Sequence, residues 1–259
     1  MFIQNNNAQL YMVEFGKGPR TILAHGGWTG SWELWTEPFA HLSRNWRTVA
    51  YDHRGTGATI SPVDSITLEN MVDDLFTVMD KMEIETCILA AESAGGIVAV
   101  TAALQQPERF DGLVLVDALL YNEESQGNRL FIHGLKTNFE QTIGQFVDSC
   151  VLETEPNSKE IRSWGRKILA RSTPDAAVRL LEVTFGVDLR PRLSEITTPT
   201  LIIHGDGDNL VPVSDAEHTA SQIPGSQLHI IKGAGHVPTV TRAKEVADLI
   251  QSHSMKEEK

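Results

Sequence analysis

Short β-rich runs alternate with amphipathic stretches along most of this chain, and that alternation limits its fold more than any other feature. The runs are Thr21–Ala24, Thr48–Tyr51, Cys87–Ala91, Leu113–Val116, Thr200–Ile203 and Gln227–Lys232. The stretches between and after them are Trp32–Leu42, Leu68–Met82, Ile97–Gln105, Ser214–Ile223 and Arg242–His253. Parallel strands need a crossover, and a helix is the usual one, so the pattern predicts an α/β fold: a mostly parallel central sheet flanked by helices. One segment breaks the rhythm. From Tyr121 to Leu189 no strand-like run occurs, and the pattern is helical, as in "GNRLFIHGLKTNFEQTIGQFVDSC" and "SKEIRSWGRKILARS". Pro191 and "RLSEITTPT" then return the chain to the sheet. The predicted organisation is a core in two parts, 1–120 and 191–259, with a helical cap inserted over 121–190. A chain of 259 residues is long enough to bury such a core.

In open parallel sheets, ligands bind outside the carboxyl ends of the strands. The residues just past each run are therefore the informative ones. His25-Gly26-Gly27-Trp28 comes after the first run, and Asp52-His53-Arg54-Gly55-Thr56-Gly57 after the second. Then come Ser93 within "AESAGG", Asp117, Gly205-Asp206-Gly207-Asp208 and Gly233-Ala234-Gly235-His236. A serine, several acids and a histidine thus fall on one rim. A serine hydroxyl is a poor nucleophile at neutral pH and needs a base within hydrogen-bond reach. An imidazole suits that role, and an acid can fix its tautomer. Read alone, a serine between a strand and a helix is also a helix cap.

The order and context of these motifs resemble the α/β-hydrolase fold family, in its serine esterase and non-haem haloperoxidase-like branch, over nearly the whole chain. "AESAGG" is similar to the nucleophile elbow of that family, with Ala91 where its first glycine usually stands. "HGGW" resembles its oxyanion loop, "DHRGTG" its D-x-R-G-x-G segment, "GDGDNLVP" its acid turn and "GAGH" its histidine turn. The resemblance implies Ser93 as nucleophile, His236 as base and Asp208 as acid, with the backbone N–H groups of Gly27 and Ala94 as the oxyanion hole. Asp117, ending "GLVLVD", and Asp206 are the competing acids. His25 and Arg54 are expected to brace the site, and Glu92 to be solvated or to act on the local field. Trp28, Phe139, Phe146 and Trp164, with Phe131 and Phe185, are candidates for an apolar pocket, ordinary packing between cap and core being the competing reading.

The implied activity is cofactor-free hydrolysis of small to medium carboxylic esters through an acyl-enzyme. Lactone hydrolysis, C–C bond hydrolysis and perhydrolase-type reactions use the same residues. A slow-turnover ligand receptor of the same fold is the rival from another class. Relatives that act as epoxide hydrolases or haloalkane dehalogenases carry aspartate at the elbow, where this chain has Ser93.

Composition narrows the partners. A net charge of -12 offers phosphates no basic footprint and speaks against nucleic acid. No apolar run approaches the length of about 18 residues that a membrane span needs. "MFIQNNNAQLYM" lacks a basic segment followed by an apolar one, so a cytoplasmic location is expected, with Cys87 and Cys150 as free thiols. "DGDNLV" has a passing likeness to a calcium loop but puts Leu210 at the fifth position and Val211 where glycine is required. Neither a metal nor another cofactor is expected. The expected partner is a small-molecule ester, the expected assembly a monomer or homodimer. The charged tail "MKEEK" is expected to fray.

Overall fold

Strands β1 (Phe2–Asn5) and β2 (Ala8–Phe15) form an antiparallel hairpin at the start of the chain. They are followed by β3 (Arg20–His25), β4 (Trp46–Tyr51), β5 (Cys87–Glu92) and β6 (Phe110–Val116). The short β7 (Tyr121–Asn122) and β8 (Val187–Asp188) come next, then β9 (Thr200–Gly205) and β10 (Gln227–Ile231). This computed structural model describes residues 1–255, so 256–259 of the charged tail lie outside the described residues. Eight strands make one sheet in the order β1-β2-β4-β3-β5-β6-β9-β10. From β4 to β10 every pairing is parallel, and only β1 with β2 and β2 with β4 are antiparallel. Each predicted run lies within one of these strands, except that Lys232 falls just beyond β10.

The core-facing pattern explains why the central runs read as continuous apolar stretches rather than alternating ones. Successive residues of β3 point to opposite sides, and both sides are covered. Ile22 and Ala24 join Ile88, Ala90, Val114 and Val116 in one apolar layer under α1 (Thr36–Leu42). Leu23 joins Leu89, Ala91, Leu113 and Leu115 in the other, against α2 (Leu68–Lys81) and α3 (Gly95–Gln105). The predicted stretch Trp32–Leu42 opens as a 3-10 turn over Trp32–Trp35 before α1 begins.

Between β7 and β8 lie α4 (Gln126–Thr137), α5 (Phe139–Cys150), α6 (Ser158–Leu169) and α7 (Pro174–Glu182). The expectation of a strand-free segment is corrected at both of its ends, because β7 and β8 pair antiparallel, Tyr121 with Asp188 and Asn122 with Val187. The segment leaves and re-enters the sheet side by side, and two residues are too few to show an alternating pattern. Helix α8 (Val213–Gln222) links β9 to β10, and α9 (Pro238–Thr241) and α10 (Ala243–Met255) follow β10, the last adding Val246, Ala247 and Ile250 to the layer under α1. No helix among the described residues is long and apolar enough to cross a membrane.

Candidate active site

The register of the sheet sets His25 beside Ala91, Glu92 beside Val116, and Gly205 beside Ile231. All the candidate loops therefore leave the sheet on one rim. Between β5 and α3 the chain turns sharply at Ser93, whose φ is +52°, a left-handed conformation that costs a non-glycine residue about 1–3 kcal/mol. The turn is held by Ser93 N–H on Val116 O (3.0 Å) and by Leu119 N–H on Ser93 O (2.9 Å). Small neighbours are required here. A Cβ on Gly95 would stand 2.5 Å from Gly26 O, and one on Gly96 would stand 2.8 Å from the Ala118 methyl. Ala91, in place of the resemblance's glycine, fits because its methyl is fully buried in the β5 layer.

Three side chains from distant loops meet at this turn. His236 Nε2 lies 2.8 Å from Ser93 Oγ, and His236 Nδ1 lies 2.6 Å from Asp208 Oδ2. The second Asp208 oxygen accepts the N–H groups of Leu210 (2.7 Å) and Val211 (3.0 Å), so the carboxylate is fixed in orientation. A carboxylate so bonded puts the proton on Nδ1 and leaves the Nε2 lone pair facing the serine. Burial works against charge on Asp208, but the bond and charge of His236 and the N–H groups of Val211 and Leu210 together outweigh it and hold the carboxyl below its usual range. Burial likewise opposes the imidazolium of His236, and Asp208, Asp117 and Glu92 together raise its pKa above the ordinary value.

The competing acids have other partners. Asp117 Oδ1 accepts Gly205 N–H (2.9 Å), and Asp206 Oδ1 accepts Gly233 N–H (2.7 Å). Asp117, Asp208 and His236 have ligand-type atoms within 4.8 Å of one another. Within that group His236 Nδ1 is hydrogen-bonded to Asp208.

Gly27 approaches the serine closely, since a Cβ there would lie 3.0 Å from Ser93 Cβ. Its N–H belongs to the peptide whose carbonyl is Gly26 O, and that carbonyl accepts from His25 Nδ1 at 2.7 Å. In a trans peptide the N–H points opposite to the carbonyl, so His25 orients the Gly27 donor. His53 stacks on His25 with centroids 4.8 Å apart and donates from Nε2 to Gly27 O (3.0 Å). Burial takes the His25 pKa down to about 3, which keeps this brace neutral. Ala94, the other residue expected to donate its N–H, caps the start of α3. Arg54 braces from further off, donating from Nε and Nη2 to Asp74 (2.7 and 2.9 Å) and from Nη1 to Asn7 (2.7 Å).

A cleft of about 50 Å³ opens over Ser93. Trp28, Phe146 and Trp164 line it. Phe139 does not: it is half-buried and packs against the core cluster away from this lining. Phe131 instead stacks on Trp28 and Phe146, with centroids 5.1 and 5.7 Å away. Phe185 is also absent from the lining of this cleft. Of the two readings of Glu92, the solvated one does not hold. Glu92 is 2% exposed, lines the cleft, and accepts from Thr239 Oγ1 at 2.6 Å. Its position one residue before the turn points it under the histidine loop, which the sequence pattern alone does not reveal. Sequence reasoning also missed His204, which lies between Asp117 (3.3 Å) and Asp208 (3.6 Å) and bonds Val211 O.

A family model described as alpha/beta hydrolase fold matches residues 20–243. Among curated proteins, a putative carbamate hydrolase RutD of Stutzerimonas stutzeri is 26% identical over 241 residues, covering 90% of this chain and 91% of its own. A pimeloyl-[acyl-carrier protein] methyl ester esterase of Nitrosomonas europaea is 28% identical over 244 residues, covering 89% and 94%. Among solved structures, an esterase from Exiguobacterium antarcticum superposes with a TM-score of 0.91 at 20% identity, covering 98% of each chain, which is a likeness of fold.

Proposed function

Because this chain belongs to the α/β-hydrolase fold family, we propose that it is a serine hydrolase that cleaves small to medium carboxylic esters through an acyl-enzyme. The observation that carries this reading is the continuous hydrogen-bonded chain from Asp208 through His236 to Ser93 Oγ, with lengths of 2.6 and 2.8 Å. We read 121–190 as a helical cap over the catalytic rim; its Phe146, Ile161 and Trp164 roof the cleft.

Ser93 Oγ attacks the acyl carbon while its proton passes to His236 Nε2. The negative charge that develops on the carbonyl oxygen is met by the N–H groups of Gly27 and Ala94, an electrostatic contribution of the kind that is often the largest in such catalysis. Asp208 stabilises the imidazolium without taking its proton. When the tetrahedral intermediate collapses, the C–O bond to the alcohol breaks and the alcohol leaves with the proton from Nε2. A water then gives its proton to Nε2 and attacks the acyl carbon, and the acid departs as Ser93 regains its hydrogen. The ester reading also draws on the methyl ester esterase among the relatives.

Steady-state assay on p-nitrophenyl esters, with a lactone panel beside them, tests this. Ser93→Ala should lose on the order of 10⁴- to 10⁶-fold in kcat and keep its fold. Asp208→Asn should lose about 10⁴-fold, because an amide favours the wrong tautomer, while Asp117→Asn should lose less than about tenfold. Retention of more than about a tenth of activity in Ser93→Ala would overturn the nucleophile assignment. A folded wild type that turns over no ester or lactone but binds a ligand saturably would be a receptor instead.

A further inference from the structure

The turn Gly233–His236 carries the catalytic imidazole, yet it lies beyond the end of β10 and has little structure of its own. It is fastened from three sides. The acid loop holds it through Gly233 N–H on Asp206 Oδ1 (2.7 Å) and Gly207 N–H on Ala234 O (2.9 Å). The cap holds it through His236 N–H on Cys150 O (2.7 Å), at the last residue of α5. Arg242, between α9 and α10, donates to Gly233 O at 2.8 Å.

The cap and Arg242 are themselves joined. Glu155, in the turn between α5 and α6, has no exposed side-chain surface and accepts Leu152 N–H at 2.8 Å. Its other oxygen has no hydrogen bond and faces the Arg242 guanidinium at 3.5 Å. There is no slack between this turn and the histidine loop. A Cβ on Gly235 would stand 2.4 Å from Cys150 O and 3.1 Å from Glu155 Oε2. Arg162 of α6 secures the cap side, donating twice to Val151 O at 2.6 and 3.2 Å. A carboxylate taken fully out of water is tolerated only with a countercharge. Arg242 provides it while its planar fork reaches the Gly233 carbonyl.

We propose that Glu155 and Arg242 form a clasp that fastens the cap to the histidine turn, making both of them positioning residues for His236. The effect on turnover rests on the hydrolase reading above. The cap then does not swing as a free lid at this end; displacing α5 from the core would pull on the backbone of the catalytic base. Neither residue lines the cleft itself, so loosening the clasp should act more on kcat than on KM. Small displacements suffice, since a misplacement of about 1 Å can cost about 100-fold in rate.

Glu155→Gln tests the clasp because it removes the charge but keeps the shape and an acceptor for Leu152 N–H. Three readouts are compared with wild type: amide hydrogen exchange, the His236 imidazole titration by NMR, and kinetics on p-nitrophenyl butyrate. Exchange across 233–237 and 150–155 should rise about tenfold while α3 keeps its protection. The His236 pKa should fall as its pairing with Asp208 loosens, and kcat should drop about 10- to 100-fold with KM within about twofold. Arg242→Gln should do the same, and the double variant should be no worse than the worse single one. Unchanged local exchange with an unchanged His236 titration would overturn the clasp. So would a uniform rise in exchange with lowered Tm and normal kcat, the mark of a merely structural pair. If wild type neither hydrolyses esters nor reacts with a fluorophosphonate, the hydrolase reading fails, while exchange and titration still decide the clasp.

Discussion

Glu92 shows how much one buried carboxyl can set. Burial pushes its pKa from 4.5 up to about 7, against the opposing pull of Thr239 and His236. Between those two values the folded protein keeps a proton that the unfolded chain has already released. Stability therefore falls as pH rises through that window, and the whole penalty is present above about pH 7. Glu92→Gln keeps an acceptor for Thr239 and cannot ionise. It should be more stable than wild type by about 3 kcal/mol at pH 8 and equal to it at about pH 4, as read from urea melts. Its negative charge also helps raise the His236 pKa. The acid limb of the kcat/KM profile should therefore move to lower pH in the same variant. An equal stability change at both pH values would show that Glu92 does not titrate in this window.

At the scale of elements, the hairpin β1–β2 depends on a side chain from the far side of the site. Arg54 and Asp74 have no exposed side-chain surface, and Arg54 also holds Asn7 in the hairpin turn and Ser65 ahead of α2. Burial keeps the Asp74 carboxyl above its ordinary range even with Arg54 bonded to it, so the pair is not a large net source of stability. Breaking it is a different matter. Arg54→Met strands an acid in the interior and should cost about 3–5 kcal/mol. For a domain of this size that lowers Tm by about 10 °C, which calorimetry would measure. A loss below about 1 kcal/mol would mean that water reaches Asp74 once Arg54 is gone.

Over the whole molecule, the substrate is limited by how cap and core meet. The cleft is bounded below by Gly27, Trp28 and Ser93 and above by α5 and α6, through Phe146, Ile161 and Trp164. Each buried CH₂ of an acyl chain gains about 0.8 kcal/mol until the space is full. A cleft of this size fills after a few carbons, so kcat/KM on p-nitrophenyl esters should peak near about four carbons and decline by about eight. A maximum at long chains, with activation by emulsified substrate, would show that the cap opens in use.

Local sequence suffices for the sheet-and-helix alternation and for the loops that carry Ser93, Asp208 and His236. Both are local properties: apolar runs of strand length between turn residues, and short motifs whose glycines answer to steric limits at a single turn. The residues that the sequence left open are those whose roles depend on contacts between distant segments. Glu92 reads as a solvated acid until Thr239, 147 positions on, is seen to close over it. Phe139 and Phe146 lie on the same helix and both are half-buried against the core, and only the packing of α5 brings Phe146 and not Phe139 to the lining of the cleft. Asp117 and Asp208 both follow strands, and which of them reaches His236 depended on a loop bending back to put Asp208 2.6 Å from Nδ1. Glu155 and Arg242 carry no motif at all. Burial and pairing across the fold follow from the summed packing of the whole chain, and no stretch of sequence holds that sum.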